Sequence, residues 1–280
     1  MRGRTDLAIE LGENNSSQEG IYHVVREKGA VLSTFLKIFS EKGEKYLGRP
    51  MGKYITLEFP SVEKVDSSKE IEEEILSELK GLLPIRERIL VVGLGNDEIT
   101  SDSIGPLTAK KILATRHIAG SFADKIGLKG LKSVSVITPN VLGKTGIETM
   151  EIIESVVKKT EPQAVIVIDA LASKSLGRLF NTIQICDTGI SPGSGVKNSR
   201  KEISEKTLGV PVIAVGVPTV VDALSLAFEI TENVPKMDTD MIVTPKDADI
   251  LCHKLSEILA KALNIFLQPE IERETLLSMV

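Results

Sequence analysis

Three short apolar runs constrain the fold of this chain more than any other feature. Ile89-Leu90-Val91-Val92, Ala164–Ile168 and Val210–Val217 carry no charged residue and no alternation of polar and apolar positions. A strand that is apolar at every position has both faces buried, and such strands belong to largely parallel sheets covered by helices on each side. None of the runs approaches the ~20 residues that a membrane span requires. The patterns between them are helical: Ser103–Ala114, Thr145–Lys159, Thr219–Ile230 and Asp247–Phe266. Thr145 and Glu148 have the spacing of a capping box for the second of these. Ser133–Ile137 reads as a further strand, and Thr182–Cys186 alternates in the manner of a strand toward a sheet edge. The fold class that follows is α/β, a three-layer α/β/α sandwich around a mostly parallel sheet.

The first 60 residues read differently. Leu11–Gly20 is polar, and Ile21–Arg26, Ala30–Phe39 and Lys53–Phe59 are strand-like, with a Glu-Lys-Gly turn between the first two. This predicts a small β-rich N-terminal appendage over residues 7–60, ahead of an α/β domain over residues 61–280. Ser61–Leu83 opens that domain as an amphipathic helix, with Val65, Ile71, Ile75, Leu79 and Leu82 at helical spacing. Residues 231–245, with Pro235 and Pro245, read as a loop.

Composition narrows the functional classes. A net charge of −5 argues against a broad nucleic-acid-binding surface, and 4% aromatic residues with no Trp argue against a base-stacking platform. Cys186 and Cys252, the only cysteines, lie too far apart for a disulfide framework or a CxxC metal site and suit a reducing cytoplasm. Met1–Glu10 is charged and lacks the apolar core of a signal peptide.

Ligands of open α/β sheets bind beyond the carboxyl ends of the strands, and polar and glycine-rich segments gather there: Gly93-Leu94-Gly95-Asn96-Asp97 with Thr100-Ser101-Asp102, Thr138-Pro139-Asn140, Asp169-Ala170-Leu171-Ala172, Asp187-Thr188-Gly189 and Pro218-Thr219. Asp169 follows Val165-Ile166-Val167-Ile168 without a polar spacer. A carboxyl group at the tip of a buried strand is poorly hydrated, which suits a catalytic acid or base, and it equally suits a group that accepts backbone N–H bonds in the next turn. Asp102 opens a helix and reads either as its N-cap or, close to Asp169, as the second member of a carboxyl pair in which one group activates water while the other holds a proton.

Other signals are weaker. Gly93-Leu94-Gly95 lacks the third glycine of a dinucleotide fingerprint, since Glu98 stands in its place. Asp187-Thr188-Gly189 matches the short signature of pepsin-like proteases but occurs once, in an α/β context. Ser191-Pro192-Gly193-Ser194-Gly195 is not a nucleophile elbow. No HExxH spacing is present, so no metal ligand set is assigned, although His117 would be the nearest histidine to consider.

Together these residues resemble the germination protease family of spore-forming bacteria. The likeness rests on Val91-Val92-Gly93-Leu94-Gly95-Asn96, Ile104-Gly105-Pro106, Thr115-Arg116-His117, Thr145-Gly146-Ile147-Glu148-Thr149, Ile168-Asp169-Ala170-Leu171-Ala172, Asp187-Thr188-Gly189-Ile190, Pro192-Gly193-Ser194-Gly195-Val196, Arg200-Lys201-Glu202-Ile203-Ser204, Gly216-Val217-Pro218-Thr219-Val220-Val221-Asp222-Ala223 and Met241-Ile242-Val243-Thr244-Pro245-Lys246. The resemblance implies a cofactor-free endopeptidase that degrades small acid-soluble spore proteins during germination, without direct nucleic-acid or membrane contact. It implies a fold like that of hydrogenase-maturation peptidases, a homotetramer, and residence in the cytoplasm of the forespore or spore core. The family's aspartic pair falls on Asp102 and Asp169. The family is made as a zymogen, and Arg4-Thr5-Asp6-Leu7-Ala8 matches its processing site, so cleavage is expected between Asp6 and Leu7, with residues 1–6 as propeptide and the present chain in its unprocessed form. Its substrates have an acidic residue before the cut, which calls for a nearby cation: Arg116, Lys144 and Lys197 are the candidates, with Asn96, Asp187 and Ser194 as further substrate contacts. One departure is a short stretch between the helix after Asp222 and Val243, where many relatives carry a long insertion. The alternatives are a metal-dependent peptidase of the hydrogenase-maturation type and a non-catalytic binding protein on the same fold.

Overall fold

The computed structural model describes residues 5–12, 19–62, 67–84, 86–120, 123, 125, 127–193, 201–231 and 240–279. Among these residues nine strands form one mixed sheet: β1 (Ile21–Lys28), β2 (Val31–Ile38), β3 (Gly52–Glu58), β4 (Arg88–Gly93), β5 (Ser133–Ile137), β6 (Ala164–Ser173), β7 (Thr182–Cys186), β8 (Val212–Asp222) and β9 (Ile242–Val243). Their spatial order is β1-β2-β3-β7-β8-β6-β4-β5, with β9 paired to β8. The three apolar runs are the centre of a parallel block, β8-β6-β4-β5, in the arrangement that their composition predicts. The remaining pairings are antiparallel.

Both faces of that block are covered, because alternate side chains of each strand enter different cores. Ile89 and Val91 of β4 and Ile166 and Ile168 of β6 pack with Ile71, Ile75 and Leu79 of α3 (Ser67–Leu82) and with Leu255, Leu259 and Leu263 of α9 (Ala248–Leu267). Leu90, Val92, Val165 and Val167 pack on the opposite face with Met150, Ile153 and Val157 of α6 (Thr149–Thr160). The shorter helices are α1 (Ile9–Gly12), α2 (Glu41–Leu47), α4 (Ile104–Ala109), α5 (Leu142–Thr145), α7 (Glu205–Leu208), α8 (Ala223–Thr231) and α10 (Arg273–Leu277).

The β-rich N-terminal strands do not stand apart from this sheet: β3 pairs with β7, with Ile55 opposite Ile185. As a result β7 is an interior strand with every residue buried, not the edge strand that its alternation suggests. The alternation is real, but its polar face is covered from within. Gln184 accepts the Ala8 backbone N–H at 2.7 Å and donates to the Asp6 carbonyl at 3.2 Å, so residues 5–8 lie where solvent was expected.

Three helices differ from their sequence patterns, each for a local reason. The stretch after Asp102 is helical only through Ala109. Asn264 of α9 then takes over the backbone, accepting the Leu113 N–H at 2.9 Å and donating to the Lys111 carbonyl at 2.9 Å. The Thr145–Glu148 capping box does not form. Gly146 adopts φ 69° and closes α5, so α6 begins only at Thr149. The Thr219 stretch remains extended through Asp222, because Val220 and Val221 pair with Ala172 and Ser173 of β6. The Asp222 carboxylate then caps α8 by accepting the Leu224 and Ser225 N–H groups.

The loop after β4 packs against α4 at backbone distance. A Cβ on Gly105 would lie 2.2 Å from the Leu94 carbonyl oxygen and 2.5 Å from that of Ile168, contacts that only backbone movement can relieve. We expect Gly105→Ala to destabilise the fold by about 2–3 kcal/mol or more, read as a lower urea midpoint. An unchanged midpoint would contradict this close packing.

Candidate active site

The parallel pairing of β4 with β6 sets the site. Val92 lies opposite Val167 and Gly93 opposite Ile168, and the next residue, Leu94, still donates its N–H to the Ile168 carbonyl at 2.8 Å. The loop leaving β4 therefore starts beside Asp169. It then folds back sharply: Gly95 has φ +110°, and a Cβ there would meet the Asp102 carbonyl oxygen at 2.0 Å. The Asp102 carboxylate closes the loop by accepting the Asn96 N–H at 2.8 Å through Oδ2. It does not cap α4, whose first turn is preceded by Ser103. Thr219 on β8 ties the same segment down by donating to the Ser101 carbonyl at 2.6 Å.

Asp102 and Asp169 thereby line one cleft of about 250 Å³. Asp169, 5% exposed, stands on β6 opposite Gly216 of β8. Ala170–Ala172, Asn140, Thr149, Pro192 and Gly193 contribute to the walls. The N-terminal segment enters the same space. The Asp6 N–H donates to the Ala172 carbonyl at 2.9 Å, and the Ala172 N–H donates to Oδ2 of Asp6 at 2.9 Å. Asp6 and Leu171 also line an adjoining cavity of about 90 Å³ with Arg49, Tyr54, Gln184 and Cys186. Glu10 anchors the segment. Its nearly inaccessible carboxylate accepts from Ser173 Oγ (2.7 Å), Lys174 N (2.8 Å) and Arg178 Nη1 (3.2 Å).

The other expected contacts divide. Asn96 is buried at the cleft loop, with its Oδ1 accepting the Glu98 N–H at 3.0 Å. Lys144 on α5 is ion-paired with Glu98. Asp187 closes the β3–β7 pair by accepting the Lys53 N–H at 2.7 Å, and it is not among the residues lining the two cavities described. Arg116 does not join the site: its N–H donates to Val134 near the start of β5, which puts it at the amino-terminal rim, opposite the cleft. Exposed His117 follows it there. The reason is the early end of α4, which returns the chain to the foot of β5. Ser194 and Lys197 lie outside the described residues. Arg49, Gln184 and Glu10 were not legible as site residues, because their roles depend on where residues 5–10 lie. Burial pushes the Cys186 and Cys252 thiols up, so neither is disposed to act as a thiolate nucleophile. Among the described residues no group of three or more His, Cys, Asp or Glu is arranged to hold a metal ion.

Comparison with known proteins gives this cleft a setting. The family model for germination protease matches residues 5–236. A germination protease of Clostridium tetani is 41% identical over 98% of this chain and 98% of its own, and one of Caldanaerobacter subterraneus is 40% identical over 95% and 94%. The chain belongs to the germination protease family. It is therefore a protease, a hydrolase of protein substrates. The germination protease of a Geobacillus strain is 43% identical over 80% of this chain and 64% of its own. A NiFe hydrogenase maturation protease of Thermococcus kodakarensis aligns over 66% of this chain at 16% identity, with a TM-score of 0.39. Among the described residues, no helix of this family member is long and apolar enough to cross a membrane.

Glu10 is ion-paired with Arg178, which also pairs with Glu58. We expect Glu10→Ala to lower stability by about 3 kcal/mol, as loss of one partner of a buried ion pair does, and to expose residues 5–10 to limited proteolysis. Unchanged cleavage of that segment would show that Glu10 does not hold it.

Proposed function

We propose that this germination protease is an aspartic-type endopeptidase in which Asp102 and Asp169 act as a pair. One carboxylate takes a proton from water, and the water oxygen attacks the carbonyl carbon of the scissile peptide. The other carboxyl group gives its proton to the carbonyl oxygen. The tetrahedral intermediate collapses, the C–N bond breaks as nitrogen is protonated, and one water is consumed to yield a carboxyl group and an amine. The observation that carries this reading is that both groups line one cleft that Asp6 of the N-terminal segment also lines, bonded there to Ala172.

The substrates we assign are small acid-soluble spore proteins, degraded in the spore core during germination. The chain is made as a zymogen that cuts its own Asp6–Leu7 bond. Family membership supports the germination role, and the position of Asp6 at the cleft supports the processing site. A homotetramer is the assembly we expect; edge strand β1, with exposed Tyr22 and Val25, offers a surface for it.

Protein matured at mildly acidic pH should begin at Leu7 on N-terminal sequencing, and a chelator should leave cleavage of a small spore protein unchanged. Asp102→Asn and Asp169→Asn should each lower kcat/KM by about 10²–10⁴-fold, the range that positioned acids and bases supply. A different N-terminus would refute the processing site, chelator-sensitive cleavage would favour metal chemistry, and full activity in either variant would overturn the pair.

A further inference from the structure

We infer that Arg49 and Gln184 form the subsite that reads the residue before the scissile bond, with Arg49 as the cation that answers the acidic side chain implied there by the family resemblance. The inference rests on the proposed Asp6–Leu7 cut and on taking residues 5–8 as lying in the track of a substrate.

The contacts around Asp6 differ on its two sides. One carboxylate oxygen, Oδ2, receives the Ala172 N–H at 2.9 Å; the other, Oδ1, lies 4.0 Å from Arg49 Nη2, which also donates to the Thr5 carbonyl at 2.8 Å. Both charged side chains are largely withdrawn from solvent, 22% exposed for Arg49 and 12% for Asp6, so their attraction is less screened than that of a surface pair. An Asn in place of Asp6 could still accept from Ala172 but would bring no charge to Arg49. An apolar side chain would satisfy neither group, and discrimination comes from the donors then left unpaired. Two of the cations expected for this role do not offer the same geometry, since Arg116 is at the far rim and Lys144 is paired with Glu98, and Lys197 lies outside the described residues.

Gln184 holds the peptide on either side of the bond. Its Nε2 donates to the carbonyl oxygen of Asp6, which belongs to the bond proposed to break, while its Oε1 accepts the Ala8 N–H. It is a positioning residue: it fixes the direction of that carbonyl while Asp102 and Asp169 line the adjoining cleft. Beyond the bond, Ala8 is 1% exposed and packs among Tyr54, Cys186 and Ala214, which leaves room for a small side chain.

The test uses protein matured at mildly acidic pH, as wild type, Arg49→Gln and Arg49→Lys, with two peptides that differ only in Asp or Asn before the cut. Wild type should favour the Asp peptide at least about tenfold in kcat/KM. In Arg49→Gln the preference should fall to within about threefold, through a raised KM for the Asp peptide, and Arg49→Lys should recover part of it. An unchanged preference in Arg49→Gln would overturn the inference. Failure of wild type to cut either peptide would count against the peptidase reading instead. The subsite is then judged in the unprocessed chain by hydrogen exchange at the Asp6 and Ala8 amides, which Arg49→Gln and Asp6→Asn should each accelerate; unchanged exchange would overturn it.

Discussion

The site depends on one pairing, that of β4 with β6. Parallel strands in register bring their carboxyl ends to the same rim, and here the register continues one residue past the strand, from Leu94 to Ile168. The residues between Gly95 and Asp102 then have little freedom. A glycine with positive φ turns the chain, and a carboxylate bonded to the Asn96 N–H closes it. Asp102 is carried to the cleft that Asp169 reaches directly from the buried strand. Asp169 is placed by the strand and Asp102 by this closed loop, and both depend on a core formed from the apolar runs.

The second structural element of the site is the chain's own N-terminus. Residues 5–10 are bound as a peptide ligand would be, through backbone bonds to Ala172, the two-sided grip of Gln184 and the anchor of Glu10 on Ser173, Lys174 and Arg178. Glu10 binds just beyond Asp6's contact with Ala172 on β6, so the strand that bears Asp169 also holds this segment. A segment bound this way leaves less of the cleft open to another peptide, as the proposed self-processing requires.

Much of the architecture was legible because it follows from burial alone. The strands β4, β6 and β8 are apolar at nearly every position, and α3 and α9 have the periodicity of helices covering a sheet. Asp169 could be singled out for the same reason. What could not be read depends on contacts distant in sequence. β7 became an interior strand because β3 joined it, α4 ended early because Asn264 took its backbone groups, and Arg116 followed that change to the wrong rim. Arg49 precedes a strand with nothing local to mark it, and only the position of Asp6 gives it a role. Asp102 lies between these cases: local pattern suggested a helix cap, and the folded loop shows its carboxylate turned instead to the Asn96 backbone.

The proposed chemistry requires that Asp102 and Asp169 work as a unit. Kinetics of the Asp102→Asn, Asp169→Asn and doubly substituted proteins on one peptide test this most directly. Groups acting in a single proton-transfer step are not additive, so the double variant should be about as impaired as the worse single variant. Losses that multiply, or a single variant with wild-type kcat/KM, would show that the two carboxyl groups sharing the cleft do not share the reaction.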